Sequence, residues 1–383
     1  MSMRATILIA GGGTGGHVYP GLAVAEALRS MADVDIVFVG TPRGLEARVI
    51  PREGYALELL DVRPMKGGGP VRAVKGAVVA ARETMRAMAL VRRVRPRVVL
   101  SVGGYAAGPV SLAAAILGVK LAVLEPNSVV GFANRVLAPF AARAYVAWSE
   151  TGGKFRKGRA RVVGAPLRVG FSPQAYAPRE GSVRVLVMGG SQGASALNER
   201  LPSAIARARA SLPAIEVVHQ AGRDRDTEVR ESYAREKVDR ATVTPFIDDV
   251  TSEMAKADVI VARAGAATVA EIAAIGRASI LIPFPHAADD HQAKNAEALA
   301  RVGGAVAIRQ ESADAIRIAS ELVRLLTDKD ARTKMADAAR THGRPHAATE
   351  IARDLLELAG ITPSLPKPRL VNGTNGAVRT VVH

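Results

Sequence analysis

The feature that most constrains this chain is a buried strand that ends in a run of glycines. Ile7 to Ala10 is an apolar stretch that passes directly into Gly11-Gly12-Gly13-Thr14-Gly15-Gly16-His17, and a helix is expected after Pro20. A strand, a glycine turn and a helix open a βαβ unit, and in such sheets ligands collect beyond the carboxyl ends of the strands. The device returns as Gly103-Gly104-Tyr105-Ala106-Ala107-Gly108-Pro109 after Val98 to Val102, and as Gly189-Gly190-Ser191-Gln192-Gly193-Ala194 after Val183 to Met188. Further apolar runs at Ala5 to Ala10, Asp35 to Val39, Leu121 to Leu124, Glu216 to Gln220, Val259 to Ala262 and Ser279 to Pro283 read as buried parallel strands, alternating with helices such as Gly21 to Met31. The fold class is α/β, with two Rossmann-like doubly wound domains facing a cleft.

Two domains also suit 383 residues, which exceed what one core usually serves. The expected division is 1–165, a linker at 166–182, a second domain at 183–343 and a helix at 344–360 placed to cross back to the first domain. Gly164 to Ser182 holds three prolines and three glycines with little periodicity. The tail, 361–383, with Pro363, Pro366, Pro368 and Gly373, is expected to be disordered.

Composition narrows the functional classes. The chain has no cysteine, which excludes disulfides, thiolate metal sites and a cysteine nucleophile and suits a reducing compartment. Its net charge of +16 calls for an acidic partner. Residues 1–165 carry 23 Lys+Arg against 10 Asp+Glu, and the remainder is nearly balanced, so the excess belongs to the first domain. Val110 to Val119, the longest apolar stretch, is about half of the ~20 residues that span a bilayer, so no membrane-crossing or secretory segment is expected. Aromatic residues make up 4 %, too few for stacking on nucleic acid, and no recognition motif accompanies the charge, so nucleic acid is not the expected partner.

The first loop matches G-x-G-x-x-G through Gly11, Gly13 and Gly16, which raises a dinucleotide site. A nicotinamide site also wants an acid at the end of the second strand to hold the ribose. That strand ends Phe38-Val39-Gly40-Thr41-Pro42, without one. Three glycine loops in two domains still point to more than one phosphate, received by helix-start amides. His17 closes the first loop and suits a general base; a structural histidine capping the helix is the competing reading. The acidic pairs Asp33/Asp35, Asp224/Asp226 and Asp328/Asp330 read as surface charge, and no metal site is expected.

Gly12 to His17, Gly103 to Tyr105, Gly189 to Ala194, Phe246-Ile247-Asp248-Asp249, Arg263-Ala264-Gly265-Ala266-Ala267-Thr268-Val269-Ala270-Glu271 and His291-Gln292-Ala293-Lys294-Asn295-Ala296 together resemble the signature blocks of a bacterial cell-wall glycosyltransferase family, glycosyltransferase family 28, whose members form lipid II. The blocks run in family order from residue 5 to about residue 358. The resemblance implies a glycosyltransferase-B fold and an inverting transfer of N-acetylglucosamine from UDP-N-acetylglucosamine to the C4 hydroxyl of the muramoyl sugar of lipid I. It implies no cofactor, an anionic membrane surface as a partner at the cytoplasmic face of the cell membrane, and other cell-wall synthesis proteins as further partners. A related UDP-sugar enzyme of the same fold, such as a UDP-N-acetylglucosamine 2-epimerase, is the alternative, and a nicotinamide oxidoreductase a more distant one.

By the same resemblance Arg168 and Ser191 contact the donor phosphates, with Arg263, Ala266 and Thr268 at a helix start beside them. Glu271 accepts the ribose hydroxyls, Ile247 presents its backbone to uracil, and Gln292 with Asn127 touches the sugar. Thr14, Gly15 and Gly16 join the donor set; Gly13, Gly103, Gly104 and Tyr105 form the acceptor set. His17 is the first candidate for the base and Glu125 the second, because Glu125-Pro126-Asn127 directly follows a strand. The family usually has glutamine where Pro126 stands, which puts contacts at that turn in question.

Between Arg63 and Arg97 there are ten Lys+Arg and one acid, Glu83. At 100° per residue Arg72, Lys75, Arg82, Arg86 and Arg93 share one side of a helix. Val71, Val74, Val78 and Met85 form the adjoining stripe, and Ala73, Ala77, Ala80, Thr84 and Ala87 a third. Small residues against the sheet would leave an apolar stripe beside a cationic one, the arrangement of a helix lying on an anionic bilayer. A core role for the valines and Met85 beneath a solvated basic face is the other reading. Gly67-Gly68-Gly69, just before it, suggests a mobile loop over the acceptor.

Overall fold

The structure is a computed structural model, and it describes residues 4–62, 70–104, 106–176, 182–190, 193–212 and 214–363, with the side chains of 70–78 and 80 outside that description. Two compact units are present: residues up to Val169 together with those from His346 onward, and Gly170 to Pro345.

The first unit runs β1 (Thr6–Gly11), α1 (Gly15–Met31), β2 (Asp35–Gly40), α2 (Glu46–Arg52), β3 (Ala56–Leu59), α3 (Pro70–Val94), β4 (Val98–Gly103), α4 (Ala107–Ile116), β5 (Lys120–Glu125), α5 (Phe132–Leu137), β6 (Arg143–Val146), α6 (Ser149–Gly152) and β7 (Ala160–Val162). Its strands form one parallel sheet in the order β3-β2-β1-β4-β5-β6-β7. Successive side chains alternate across a strand, so β1 sends Ile7 and Ile9 into one core with Val24, Leu28 and Leu100, and Leu8 and Ala10 into another with Leu90, Val99 and Val123.

The second unit continues with β8 (Val183–Met188), α7 (Ser195–Arg209), β9 (Ile215–Gln220), α8 (Asp226–Arg235), β10 (Ala241–Thr244), α9 (Val250–Lys256), β11 (Val259–Ala262), α10 (Ala266–Ile275), β12 (Ala278–Leu281), α11 (His291–Arg301), β13 (Val306–Ala307), α12 (Ala315–Thr327) and α13 (Lys329–Thr341). Its parallel sheet has the order β10-β9-β8-β11-β12-β13. The order reverses direction between β1 and β4 in one sheet and between β8 and β11 in the other, the switch points where doubly wound sheets open a crevice.

A last helix, α14 (Ala347–Ala359), belongs to the first unit, where Ile351, Ala352, Leu355 and Leu356 enter the core beside α1. Tyr145 donates to Asp354 Oδ2 at 2.7 Å, Arg143 pairs with the same carboxylate at 3.2 Å, and Lys120 Nζ donates to the Leu358 carbonyl at 2.8 Å.

Three local features depart from the sequence reading. α1 begins at Gly15 and runs through Pro20, whose missing N–H removes the helical hydrogen bond to the Gly16 carbonyl while its ring is buried. Short strands β3, β6, β7, β10 and β13 lack the long apolar run that marks the central ones. The units divide between Val169 and Gly170, within the stretch expected to be a linker, and Gly170 to Tyr176 is fastened to the second unit. There Arg277, 2 % exposed, donates to the carbonyls of Gln174, Ala175, Ala255 and Gly276, and Tyr176 donates to Asp258 Oδ1 at 2.7 Å.

Candidate active site

In the first unit the two glycine loops meet because the sheet register slips. β1 and β4 pair regularly to Ala10 opposite Ser101, then Gly11 falls opposite Gly103, skipping Val102. Gly12 N donates to the Gly103 carbonyl at 3.2 Å, and a Cβ on Gly104, whose φ is +88°, would overlap the Gly12 carbonyl. His17 stands in the first turn of α1, half-buried, with Nδ1 3.1 Å from the Gly12 carbonyl oxygen. A carbonyl only accepts, so Nδ1 carries the proton and Nε2 is the basic nitrogen. Thr14 is the N-cap of α1 but makes no side-chain cap bond, and Gly15 and Gly16 follow it as helix-start amides.

The first loop is not an empty phosphate cradle. Glu46, 1 % exposed at the start of α2, lies beneath it. Its Oε2 accepts from Gly13 N at 2.6 Å, and its Oε1 accepts from Thr41 N at 2.8 Å and Thr41 Oγ1 at 2.9 Å. The acid that is missing at the end of the second strand therefore arrives six residues later, folded inward. Nothing in the local sequence Gly44-Leu45-Glu46 signals that return.

Glu125, at the end of β5, is 2 % exposed. Its Oε1 accepts from Asn127 N at 3.2 Å and Asn127 Nδ2 at 3.0 Å; its Oε2 accepts from Gly131 N at 2.8 Å and Asn134 Nδ2 at 3.0 Å. Four donors meet this carboxylate, which holds the turn between β5 and α5. Asn127 is part of the same knot and also receives Thr151 Oγ1 on its carbonyl at 3.3 Å. Arg168 is exposed, its guanidinium 5.0 Å from the centre of the Tyr19 ring.

In the second unit the loops after β8, β11 and β12 lie at adjacent strand ends. Arg263 Nη1 donates to the carbonyls of Ile282 and Pro283 at 3.0 and 3.2 Å, and Nη2 donates to Gln310 Oε1 at 2.7 Å. Burial, with Arg200 nearby, lowers its pKa from the usual arginine value. In this geometry Arg263 ties loops together. Ala266 and Thr268 sit in the first turn of α10, whose N-cap Gly265 supplies no side-chain cap, so the helix-start amides there keep their anion-binding character. Glu271 is half-buried on the same helix. Ile247 is buried, while the preceding Phe246 is exposed in a turn where Thr244 Oγ1 donates to the Phe246 carbonyl at 2.7 Å. Gln292 Oε1 accepts from Phe284 N at 3.0 Å, next to Asp289 and Asp290, both with positive φ.

The N-terminal domain of glycosyltransferase family 28 matches residues 7–146, and its C-terminal domain matches residues 184–351. A protein of Sorangium cellulosum (strain So ce56), named UDP-N-acetylglucosamine--N-acetylmuramyl-(pentapeptide) pyrophosphoryl-undecaprenol N-acetylglucosamine transferase, is 54% identical over 92% of this chain and 88% of its own length. The chain belongs to glycosyltransferase family 28. A second relative of the same name, from Acidithiobacillus ferrooxidans (strain ATCC 53993 / BNL-5-31), is 43% identical over 94% of this chain and 99% of its own. The crystal structure of Acinetobacter baumannii MurG superposes with a TM-score of 0.76 at 32% identity, covering 92% of this chain and 99% of that one. A UDP-N-acetylglucosamine 2-epimerase structure reaches 0.64 at 14% identity over 94% of this chain and 97% of its own, a likeness of fold alone.

Of the expected family 28 site residues, Tyr105 and Ser191 lie outside the described residues, as do the side chains of Arg72, Lys75 and Val78 and the tail from residue 364. The structure brings Gly12, Gly13, His17, Gly103 and Gly104 together in the first unit. Sequence reasoning did not find Glu46, or Asn134 as a donor to Glu125. It also missed the buried set in which His219 Nδ1 lies 3.0 Å from Tyr233 Oη and Nε2 lies 3.2 Å from Asn198 Oδ1. Only Asn198 had a clue, being spaced four residues into the helix after a glycine loop; Asn198 Nδ2 donates to the Ala221 carbonyl at 2.9 Å.

Proposed function

We propose that His17 is the base in this transferase. The enzyme is a UDP-N-acetylglucosamine-dependent hexosyltransferase that adds N-acetylglucosamine to lipid I and forms lipid II for peptidoglycan synthesis. The observation that carries the catalytic reading is the Nδ1 contact to the Gly12 carbonyl, which leaves Nε2 basic. In the reaction Nε2 takes the proton from the C4 hydroxyl of the muramoyl sugar as that oxygen attacks C1 of N-acetylglucosamine. The bond from C1 to the diphosphate oxygen breaks with inversion, and UDP leaves with the electron pair.

Helix-start amides at Ala266 to Thr268 offset the charge that grows on the diphosphate, since fixed dipoles aimed at developing charge need no reorganisation. Glu271 binds the ribose hydroxyls, the Ile247 backbone reads uracil, and Gln292 orients the sugar. Ser191 and Arg168 complete the donor contacts. Gly13, Gly103, Gly104 and Tyr105 are the residues that bind the acceptor.

The enzyme acts as a peripheral protein on the cytoplasmic face of the membrane. No helix among the described residues is long and apolar enough to cross a bilayer. Among the described side chains of α3, Glu83, Thr84, Ala87, Leu90 and Val91 are buried, while Met85 is 71% exposed and Val79 and Arg82 face outward. Leu112 and Ile116 are also exposed on α4, the helix packed beside α3. That pattern supports the small-residue face as the packed one and leaves Met85 with the cations, as a surface helix on anionic lipid requires.

The deciding experiment is transfer of labelled N-acetylglucosamine from UDP-N-acetylglucosamine to a lipid I analogue, with and without EDTA. Transfer is expected in both. Release of a 2-epimer with no transfer to any muramoyl acceptor would instead establish the epimerase.

A further inference from the structure

We infer that Glu46 is a positioning residue for His17, a built-in carboxylate that fills the anion position of the first glycine loop and fixes the histidine through Gly12. The inference rests on the reading of His17 as the base. Three glycines are shaped around this one side chain: a Cβ on Gly12, Gly40 or Gly44 would overlap Glu46. Three donors meet it, Gly13 N at 2.6 Å, Thr41 N at 2.8 Å and Thr41 Oγ1 at 2.9 Å. A buried carboxylate is costly unless hydrogen bonds compensate it, and here they do. In dinucleotide-binding folds the amides of such a loop receive a phosphate. In this loop Gly13 N already has its anion.

Gly12 carries the effect to the histidine. Its Cα rests against the Glu46 carboxylate, its N–H donates to the Gly103 carbonyl at 3.2 Å, and its carbonyl accepts from His17 Nδ1 at 3.1 Å. Gly104 closes the other side, with no room for a Cβ against the Gly12 carbonyl. The peptide from Gly12 to Gly13 is thus held between a carboxylate and the second glycine loop. If Glu46 loses the acceptor that faces Gly13, that N–H is left without its partner and the peptide is free to rotate. The Gly12 carbonyl then no longer selects the tautomer with its proton on Nδ1. A histidine protonated on Nε2 cannot accept a proton there.

The test uses the full chain with Glu46→Gln, Glu46→Asp and Glu46→Ala, and His17→Ala alongside. In Glu46→Gln one of the two amide atoms turns an N–H toward Gly13 N or Thr41 N. We expect kcat to fall about 10- to 100-fold, the scale on which loss of the partner behind a working histidine acts, with the Kd for UDP changed less than about two-fold. Glu46→Asp should recover part of that loss. Nitrogen-15 spectra of the imidazole should move from the single Nδ1–H tautomer to a mixture, a change that simple loss of stability does not produce. In Glu46→Ala, added formate should enter the vacated cradle and restore part of the rate, whereas His17→Ala should gain nothing from formate. An unchanged tautomer and rate in a folded Glu46→Gln variant would overturn the inference and leave His17 as the base. Should Glu46→Gln fail to fold, absence of formate rescue in Glu46→Ala would overturn it equally. Full activity of His17→Ala would remove the base reading itself, and the tautomer shift would still report whether Glu46 orients the ring.

Discussion

Gly103 faces His17 so closely that a Cβ on it would sit 2.9 Å from Cδ2 and 3.0 Å from Nε2 of the imidazole. Its φ of +89° is also one that a residue with a Cβ adopts at a cost. The second glycine loop therefore sets where the basic nitrogen lies. Gly103→Ala should push the ring aside and lower kcat by about 10²-fold, the effect of an ångström-scale misplacement, with UDP binding retained. Initial rates beside a UDP titration check this, and a wild-type rate would show that the ring position is not set there.

Replacing His17 by alanine should lower turnover by about 10²- to 10⁴-fold, the usual contribution of a general base, with far less change in donor affinity. Steady-state rates and calorimetric UDP binding separate the two effects.

Glu125→Gln should act on stability and leave the pH dependence of the rate in place. Whichever way the amide is turned, its NH2 meets a pair of donors, Asn127 N and Nδ2 or Gly131 N and Asn134 Nδ2. Buried donors left facing one another cost about 1–3 kcal/mol, read as a lower unfolding midpoint in urea. Loss of the acidic limb of the kcat/KM profile would make Glu125 the base after all.

Reversing the charge of Arg72, Lys75, Arg82 and Arg86 to glutamate should abolish sedimentation with anionic vesicles. Each cation near such a surface contributes about 1 kcal/mol, so removing four weakens partitioning by on the order of 10³-fold even before repulsion is added. Undiminished sedimentation would return α3 to an ordinary solvated face.

His219 makes stability depend on pH. Burial lowers its pKa to about 3, against 6.5 for the free side chain, so the folded protein holds it neutral. Its contribution is fully present above pH 6.5 and is lost as pH falls toward 3, because the unfolded chain takes up the proton first. At pH 5 the loss amounts to about 2 kcal/mol. Urea unfolding at pH 7.5 and 5 should show that slope, and His219→Gln should flatten it.

The sequence alone determined the two doubly wound sheets, because their central strands are apolar on both faces and read as unbroken runs between glycine turns. It also determined the position of His17, which needs no long-range information once Gly11 to Gly16 is read as a strand-to-helix turn. The short strands and the start of α1 were less legible, since four residues beside a turn carry little periodicity and Pro20 argues locally against the helix that contains it. What only the tertiary structure decided is which polar groups meet. Glu46 is an ordinary helix acid in the sequence, and Gly13 lies 33 residues away. Nothing in the sequence shows that Glu125 accepts from Asn127, Gly131 and Asn134 at once. A carboxylate's role depends on the donors that surround it, and the fold gathers those donors from segments that no local pattern connects.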